Sequence, residues 1–407
     1  MLGALLLVPG AVSVGLWILP YPISRRLAPT AAALSKTETA AAPAPAPAGD
    51  ARVGPWGSLS VTPVTIQPPI RLIPPVLYQP KPIQWQIGPA DETSFRQLLT
   101  DAGVAALTQD VIINSLVKRD DGSVVLIVEP ALVRSFTPEV RGRLYRALLQ
   151  LDPRNRVFFG NKRWSPDQWA ELRSTLPPNV QDVVDSFLFP STTNTDILFW
   201  DTAAALHFIP SEIDRIALLR SLNLQRTLLL NLNIDSHTNV TDLVEYWHLS
   251  TNRRQFIPML ESLAQLDGAN SIDALYLLPA FVRDYAYTYP VSTLVGSAAD
   301  TVDCFWTCAN FDRKANQPLI PSKEAAKYLT SNYVTYVGRP EFGDIIVLRD
   351  AQENAIHVAV HIADNIVFTK NGQHPLMPWV FMERDEMIRI YELADPTKTL
   401  WVRRATD

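Results

Sequence analysis

The segment Ile356-His357-Val358-Ala359-Val360-His361-Ile362 alternates histidine or alanine with β-branched apolar residues. This period of two predicts a buried β-strand that begins near His357. Upstream, Asp303-Cys304-Phe305-Trp306-Thr307-Cys308 predicts a helix that starts at Cys304, where the positive end of the helix dipole favours a thiolate. A thiol and an imidazole can form a nucleophile and base pair wherever a fold brings them within hydrogen-bond reach. We therefore take Cys304 and His357 as candidate catalytic residues.

Three motifs in this region resemble those of the NlpC-type family of cell-wall cysteine peptidases and amidases. In chain order they are Asp303-Cys304, Gly343-Asp344-Ile345-Ile346-Val347 and His357-Val358-Ala359-Val360-His361-Ile362. The resemblance covers roughly residues 290–395, with Phe305-Trp306 in place of the family's small Ser-Gly pair and Ala359 in place of a glycine. It implies a papain-like domain in which Cys304 attacks an amide carbonyl and His357 acts as base. The implied substrate is a peptidoglycan stem peptide.

A third catalytic group is expected on the strand that follows His361. A hairpin across residues 363–365 places the position opposite His357 between Lys370 and Gly372. Lysine has no acceptor for an imidazole N–H, whereas the side-chain carbonyl of Asn371 is one. Asn371 is therefore our expected orienting residue, with Thr369, on the same face, and His374 as alternatives. A simple turn at the end of the strand is the competing interpretation.

The cysteine count limits the other chemistries. With two cysteines in 407 residues, no disulfide framework holds the chain together. A zinc site made of Cys304, Cys308, His357 and His361 is disfavoured, because histidines four apart on a strand lie about 13 Å apart. We expect neither a metal nor another cofactor. An inert, buried Cys304 thiol remains the open alternative, since free cysteine is a common core residue.

The sequence of the N-terminal residues predicts a segment that enters a membrane. Residues 2–24 carry no charged side chain and precede Arg25-Arg26, so residues 1–26 read as a signal peptide or a membrane anchor. Residues 27–90, with the Ala/Pro repeat at 42–48, are predicted to be a linker. The arginine pair alone would keep the rest of the chain in the cytoplasm. The stiff spacer favours export to the cell envelope.

The remaining sequence predicts an α+β protein with two folded domains. Residues 91–290 read as a mainly helical domain, in which Thr137-Pro138 and Ser165-Pro166 are helix starts, and residues 291–407 as the cysteine hydrolase domain. A net charge of −5 offers no basic surface for nucleic acid. The sequence thus favours a thiol-dependent amide hydrolase of the cell envelope. The alternative is a non-catalytic envelope-binding or scaffold protein that keeps this fold.

Overall fold

The computed structural model describes a mixed α+β protein with antiparallel sheets. The described residues are 51–88, 91–120, 122–152, 155, 162–192, 195–247, 253–268, 270–290, 302–314, 316–391 and 398–405. The predicted signal or anchor at residues 1–26, and the linker as far as residue 50, lie outside them. Within these ranges, no helix is both long and apolar enough to cross a membrane.

Residues 51–88, which we expected to belong to a linker, instead form regular structure. Their elements are β1 Arg52–Gly54, β2 Gly57–Ile66, the 3₁₀ turn Ile70–Leu72, α1 Pro75–Tyr78 and β3 Ile83–Gly88. Leu59 and Val61 of β2 are buried, so this strand contributes to a core. Pro63 is tolerated because β1 pairs with β2 only as far as Leu59, which leaves β2 an edge strand at the proline.

A first core contains buried side chains between Ile83 and Leu222. Two three-stranded sheets, β3-β5-β4 and β6-β8-β7, contribute to it together with short helices. The predicted helix starts at Thr137 and Ser165 are confirmed, and Ser165 forms a capping box with Gln168. The elements that follow β3 are α2 Glu92–Asp101, α3 Ala106–Asn114, β4 Leu116–Lys118, β5 Val124–Val128, α4 Pro130–Ser135, α5 Pro138–Leu151, β6 Lys162–Trp164, α6 Pro166–Ser174, α7 Pro178–Asp185, β7 Phe189–Pro190, β8 Ile197–Phe199, α8 Thr202–His207 and α9 Glu212–Leu222.

The boundary predicted at residue 290 does not coincide with a division of the core. A second core joins Leu59 and Val61 to buried residues between Leu228 and Phe381. It includes a four-stranded sheet of order β1-β2-β9-β10. The elements that lie before residue 290 are β9 Gln225–Ile234, α10 Val240–Trp247, α11 Arg253–Ala264, β10 Asn270–Asp273, the 3₁₀ helix Ala274–Leu277 and α12 Ala280–Tyr285.

The C-terminal region is built around a six-stranded antiparallel sheet of order β11-β16-β12-β13-β14-β15. The strand predicted from the alternation that starts at His357 is confirmed as β13. The elements are α13 Cys304–Asn310, α14 Ser322–Asn332, β11 Tyr333–Thr335, β12 Ile345–Arg349, β13 Ala355–Ala363, β14 Ile366–Lys370, β15 Trp379–Glu383, α15 Arg384–Tyr391 and β16 Lys398–Arg404.

Both faces of this sheet are covered. On the cysteine-side face, Val358, Val360 and Ile362 belong to the same core as Cys304 and Cys308 of α13. On the opposite, histidine-side face, a smaller core packs under α15; its buried members are Ile346, Leu348, Ala359, Val367, Val380, Met382 and Met387. The alternation of β13 therefore places His357 and His361 on the face opposite α13.

Backbone groups on the outer edge of β15 form hydrogen bonds with residues that are far away in the sequence. The buried Thr227 hydroxyl of β9 donates to the carbonyl of Phe381 at 3.0 Å and accepts from its N–H at 3.1 Å. The backbone of Tyr287 donates to the carbonyl of Trp379 at 2.9 Å, and the Trp379 N–H donates to Thr288 at 3.1 Å. One threonine hydroxyl thus links the four-stranded sheet to the six-stranded sheet.

We expect Thr227→Val to destabilise the chain by about 1–3 kcal/mol, because both backbone groups of Phe381 would lose their buried partner while the side-chain shape is kept. Urea denaturation followed by tryptophan fluorescence measures the change. The exposed Thr330→Val on α14 is the matched control, with an expected change within about 0.5 kcal/mol. Equal stability of the two variants would show that Thr227 does not link the sheets.

Candidate active site

Cys304 is the first residue of α13, as the sequence predicts. Asp303 caps this helix: its side chain accepts from the Trp306 N–H at 2.9 Å, and its backbone carbonyl accepts from the Thr307 hydroxyl at 2.7 Å. Trp306 points into an aromatic cluster rather than standing free beside the thiol, with ring centroids 5.2 Å from Phe281 and 5.9 Å from Trp379. Packing thus accounts for the bulky residue at this position.

The Cys304 thiol is buried, with 5% of the residue exposed. Burial, together with the charge of the neighbouring Asp303, raises the pKa of the thiol to about 12. The backbone N–H of Val358 on β13 lies close to the sulfur and acts in the opposite direction. Desolvation therefore outweighs the stabilisation of the thiolate that was expected from the start of the helix, and the thiol is neutral in this structure.

His357 lies at the same end of β13 and is completely buried. Its ring stacks on Tyr391 of α15 with centroids 4.1 Å apart and planes 16° apart. Its Nε2 atom is 3.0 Å from the hydroxyl of Thr369. Burial lowers the pKa of His357 to about 3, so the imidazole is neutral.

The Thr369 hydroxyl determines which nitrogen of His357 carries the proton. The hydroxyl also lies 3.2 Å from the carbonyl of Val358, which can only accept. With its own proton directed to Val358, the hydroxyl accepts the Nε2–H of His357. The Nδ1 atom then carries a lone pair, and it has no hydrogen-bond partner among the residues that the structure describes. A buried, unpaired Nδ1 is an available proton acceptor.

Asn371 does not make the contact that we expected of it. The pairing of Val360 with Phe368 and of His361 with Val367, continued along the hairpin, would bring Asn371 opposite His357. However, β14 ends at Lys370, and the Asn371 amide is directed to the sulfur of Met382 at 3.5 Å. The residue that contacts His357 is Thr369, the first alternative.

His374, the second alternative, is also engaged elsewhere. Its Nδ1 accepts from the backbone of Leu376 at 3.2 Å. Its carbonyl accepts from the ammonium group of Lys370 at 3.1 Å. His374 thus helps to fix the loop after β14 and has no hydrogen bond to His357.

Cys304 and His357 lie at one end of β13 but on opposite faces of the sheet. No hydrogen bond joins their side chains within the described residues. Tyr391 links the two, because it stacks on His357 and lies near enough to Cys304 and Asp303 for their charges to raise its pKa in addition to burial. The structure therefore brings the two residues to one site without direct contact.

Lys370 is a buried charged group at this site that sequence reasoning missed. It is completely buried, and its ammonium group donates to the carbonyl of Gly372 at 2.7 Å as well as to that of His374. Burial lowers its pKa to about 7, while the nearby Asp303 and Cys304 act to raise it. Alternation along β14 places Lys370 with Phe368 on the cysteine-side face. This alternation is visible in the sequence and could have predicted the position of Lys370.

The Gly343-Asp344 motif and His361 have structural roles at the other end of β13. Asp344 is nearly fully buried and accepts from the guanidinium of Arg403 at 2.8 and 2.6 Å and from the Tyr336 hydroxyl at 2.6 Å. Its carbonyl accepts from the backbone of His361 at 2.7 Å. The ring of His361 packs edge-on against Trp401. This arrangement fixes the start of β12 against β13 and β16.

A cavity of about 320 Å³ adjoins the histidine-side end of the site. Asn371, Met382 and Tyr391 form one wall, so the ring that stacks on His357 also faces the cavity. The rest of the lining comes mainly from residues within 162–172 and 222–226, of which Leu172 and Leu222 belong to the first core. The cavity is thus lined by first-core residues and by residues of the C-terminal region, next to His357.

Comparisons of the chain with protein-family models, with curated proteins and with solved structures gave no match. The resemblance to NlpC-type enzymes therefore rests on the residues of the three motifs.

The buried histidines predict a loss of stability in mild acid. Burial lowers the pKa of His357 to about 3 and that of His361 to about 4, whereas an unfolded histidine titrates near 6.5. Between these values the unfolded chain binds more protons, so the free energy of unfolding decreases as the pH falls. We expect a loss on the order of 1–2 kcal/mol per histidine between pH 7.5 and pH 5 in urea denaturation.

His361→Phe isolates one of these contributions without changing the proposed site. This variant should lose less stability than the unaltered chain over the same pH range. His237→Gln, at an exposed position, should lose as much as the unaltered chain. If His361→Phe and the unaltered chain decline in parallel, His361 is not kept neutral by burial.

Proposed function

We propose that this chain is a thiol-dependent hydrolase of amide bonds, with Cys304 as nucleophile and His357 as general base. The observation that carries the proposal is the state of His357: Thr369 holds Nε2, and the buried Nδ1, at the end of β13 near Cys304, has no hydrogen-bond partner in the part of the chain that the structure describes. An imidazole fixed through one nitrogen with the other left open is what a base requires.

The proposed reaction begins with transfer of the Cys304 proton to Nδ1 of His357 as the sulfur attacks the carbonyl carbon. The C–N bond then breaks, and His357 returns the proton to the leaving amine. Water, deprotonated by His357, hydrolyses the resulting thioester and restores the thiol. The Val358 N–H and the Lys370 ammonium, which both lower the thiol pKa, offset the developing negative charge.

Substrate binding must bring the sulfur and Nδ1 into contact. The neutral thiol and neutral imidazole of the present structure correspond to the state before that contact forms. Catalytic hydrogen bonds are often long or poorly aligned until substrate is bound. Because the two side chains leave β13 and α13 on opposite sides of the sheet, this contact requires a rearrangement of the backbone at the start of β13, and not only a rotation of the His357 side chain.

The proposed function implies a fold for the C-terminal region and a cellular location for the chain. We propose that residues 291–407 form a papain-like domain, since a helix that starts with Cys304 packs on an antiparallel sheet that carries His357. The three motifs that resemble NlpC-type enzymes support peptidoglycan stem peptides as the substrate. Residues 1–26 would then direct the chain to the cell envelope, as a signal or an anchor.

A specific observation favours a second candidate function, a non-catalytic envelope-binding or scaffold protein. With a thiol pKa of about 12 and an imidazole pKa of about 3, the proton stays on the sulfur in this structure. Such a protein would bind peptidoglycan without cleaving it. Hydrolysis that depends on Cys304 distinguishes the two functions.

Cys304→Ala should abolish the release of new amino groups from purified peptidoglycan, because the nucleophile is removed. Cys308→Ala should keep most of the activity, since Cys308 lies one helical turn further into the core and is fully buried. Chromatography of the released muropeptides measures both variants, and circular dichroism confirms that both fold. Binding without hydrolysis by the unaltered chain would support the scaffold function instead.

His357→Ala should lower the hydrolysis rate by about 10²–10⁴, as is usual when a general base is lost. His361→Ala should change it much less.

Thr369→Val should lower kcat and shift the acidic limb of the pH–rate profile, because Nε2 loses its partner, while Thr369→Ser should restore both. If Thr369→Ser is as impaired as Thr369→Val, the threonine acts through packing and not through its hydroxyl.

A further inference from the structure

The cavity beside Tyr391 has one apolar side. Its volume of about 320 Å³ lies at the small end of the range of roughly 300–1,000 Å³ that is typical of ligand pockets. Its apolar residues are Trp164, Leu172, Leu222 and Leu224, which belong to the first core or pack against it, and Met377 and Ile390 of the C-terminal region. This side suits an aliphatic side chain rather than a fully polar ligand.

Three of the four basic side chains that line the cavity lie beside a carboxylate. Arg163 pairs closely with Asp196, and Arg226 lies 3.6 Å from Glu171. Glu386 lies beside Arg226 and Arg389, whose charges oppose the rise in its pKa that burial causes. The four basic side chains of the lining are Lys162, Arg163, Arg226 and Arg389, and its three carboxylates are Glu171, Asp196 and Glu386.

Lys162 is the fourth of these basic side chains. Within the described ranges its ammonium group forms no ion pair, and its polar contact is with the neutral side chain of Asn223 at 3.2 Å. Burial lowers the pKa of Lys162 to about 8, so the group is still mostly charged at pH 7. A partly desolvated ammonium without a counter-ion is suited to an anionic ligand group.

An unused acceptor lies just behind the wall of the cavity nearest His357. Asn371 lines the cavity, and its Oδ1 atom, which a turn of the side-chain amide would expose to a ligand, is buried without a hydrogen-bond partner among the described residues. A buried amide oxygen without a donor is costly unless a ligand supplies one. A peptide N–H is such a donor. The cavity therefore combines a cation, an amide acceptor and an apolar wall.

We infer that this cavity binds a short peptide with a free terminal carboxylate, which pairs with Lys162 while Asn371 accepts a backbone N–H and the apolar wall holds an aliphatic side chain. Tyr391 separates this ligand from His357, so movement of the tyrosine ring would open the path from the bound peptide to the catalytic end. The identification of this peptide as the substrate rests on the proposed hydrolase function. Its binding does not.

The test is isothermal titration calorimetry of the full chain carrying Cys304→Ala, which excludes turnover. The probes are N-acetyl-alanyl-leucine with a free carboxylate and the same compound as a C-terminal amide. The acid should bind about 10–100-fold more tightly, because only the acid pairs with Lys162. Adding Lys162→Met should remove this preference, and adding Lys162→Arg should keep it. Lys327→Met, at an exposed position on α14, is the matched control.

Equal binding of acid and amide, or no binding of either, overturns the inference without the need for any lysine variant. Survival of the preference in both Lys162→Met and Lys162→Gln overturns the role of Lys162. Carboxylate-dependent binding together with an unaltered chain that cleaves no amide would leave the cavity as described and refute the hydrolase. Amide hydrolysis by a chain that binds the acid and the amide equally well would support the hydrolase and refute the peptide site in the cavity.

Discussion

Burial of both faces of β13 is the constraint on which the candidate site depends. Val358 and Val360 must face α13 to complete the second core, so the residues between and before them must face α15. The side chain of His357 therefore points away from α13. The next residue, Val358, nevertheless has its backbone N–H close to the Cys304 sulfur. The same packing that builds the sheet thus keeps the proposed nucleophile and base apart.

Desolvation then sets the charge state of the whole site. It raises the pKa of the Cys304 thiol and lowers those of His357 and Lys370, so all three groups move toward neutrality. Lys370 partly counters the rise in the thiol pKa, and Asp303 partly counters the fall in the Lys370 pKa, whereas Asp303 adds to the rise in the thiol pKa. A neutral thiol beside a neutral imidazole reacts little with stray electrophiles, so the proposed hydrolysis would have to be started by a ligand that changes the local contacts.

Local signals were sufficient to predict the helix that starts at Cys304, the strand that carries His357 and the pairing of the hairpin. The contact of Thr369 with His357 was harder, because it depends on where β14 stops and not on the register alone. The strand β2 was missed because Pro63 and the prolines that follow the strand resemble those of a linker, and the β9 partner that makes it a strand lies far along the chain. Pairings of this kind leave no local trace in a sequence.

The pairing of β2 with β9 also has a consequence for biosynthesis. Ile66 pairs with Gln225, and the two strands are separated by roughly 160 residues. At about 5–20 residues per second, a ribosome needs roughly 8–30 s to make the intervening chain. The first core lies wholly within this interval and can form early, while β2 waits for its partner. Until then its apolar residues are available to chaperones, which makes the interval a period of vulnerability for the nascent chain.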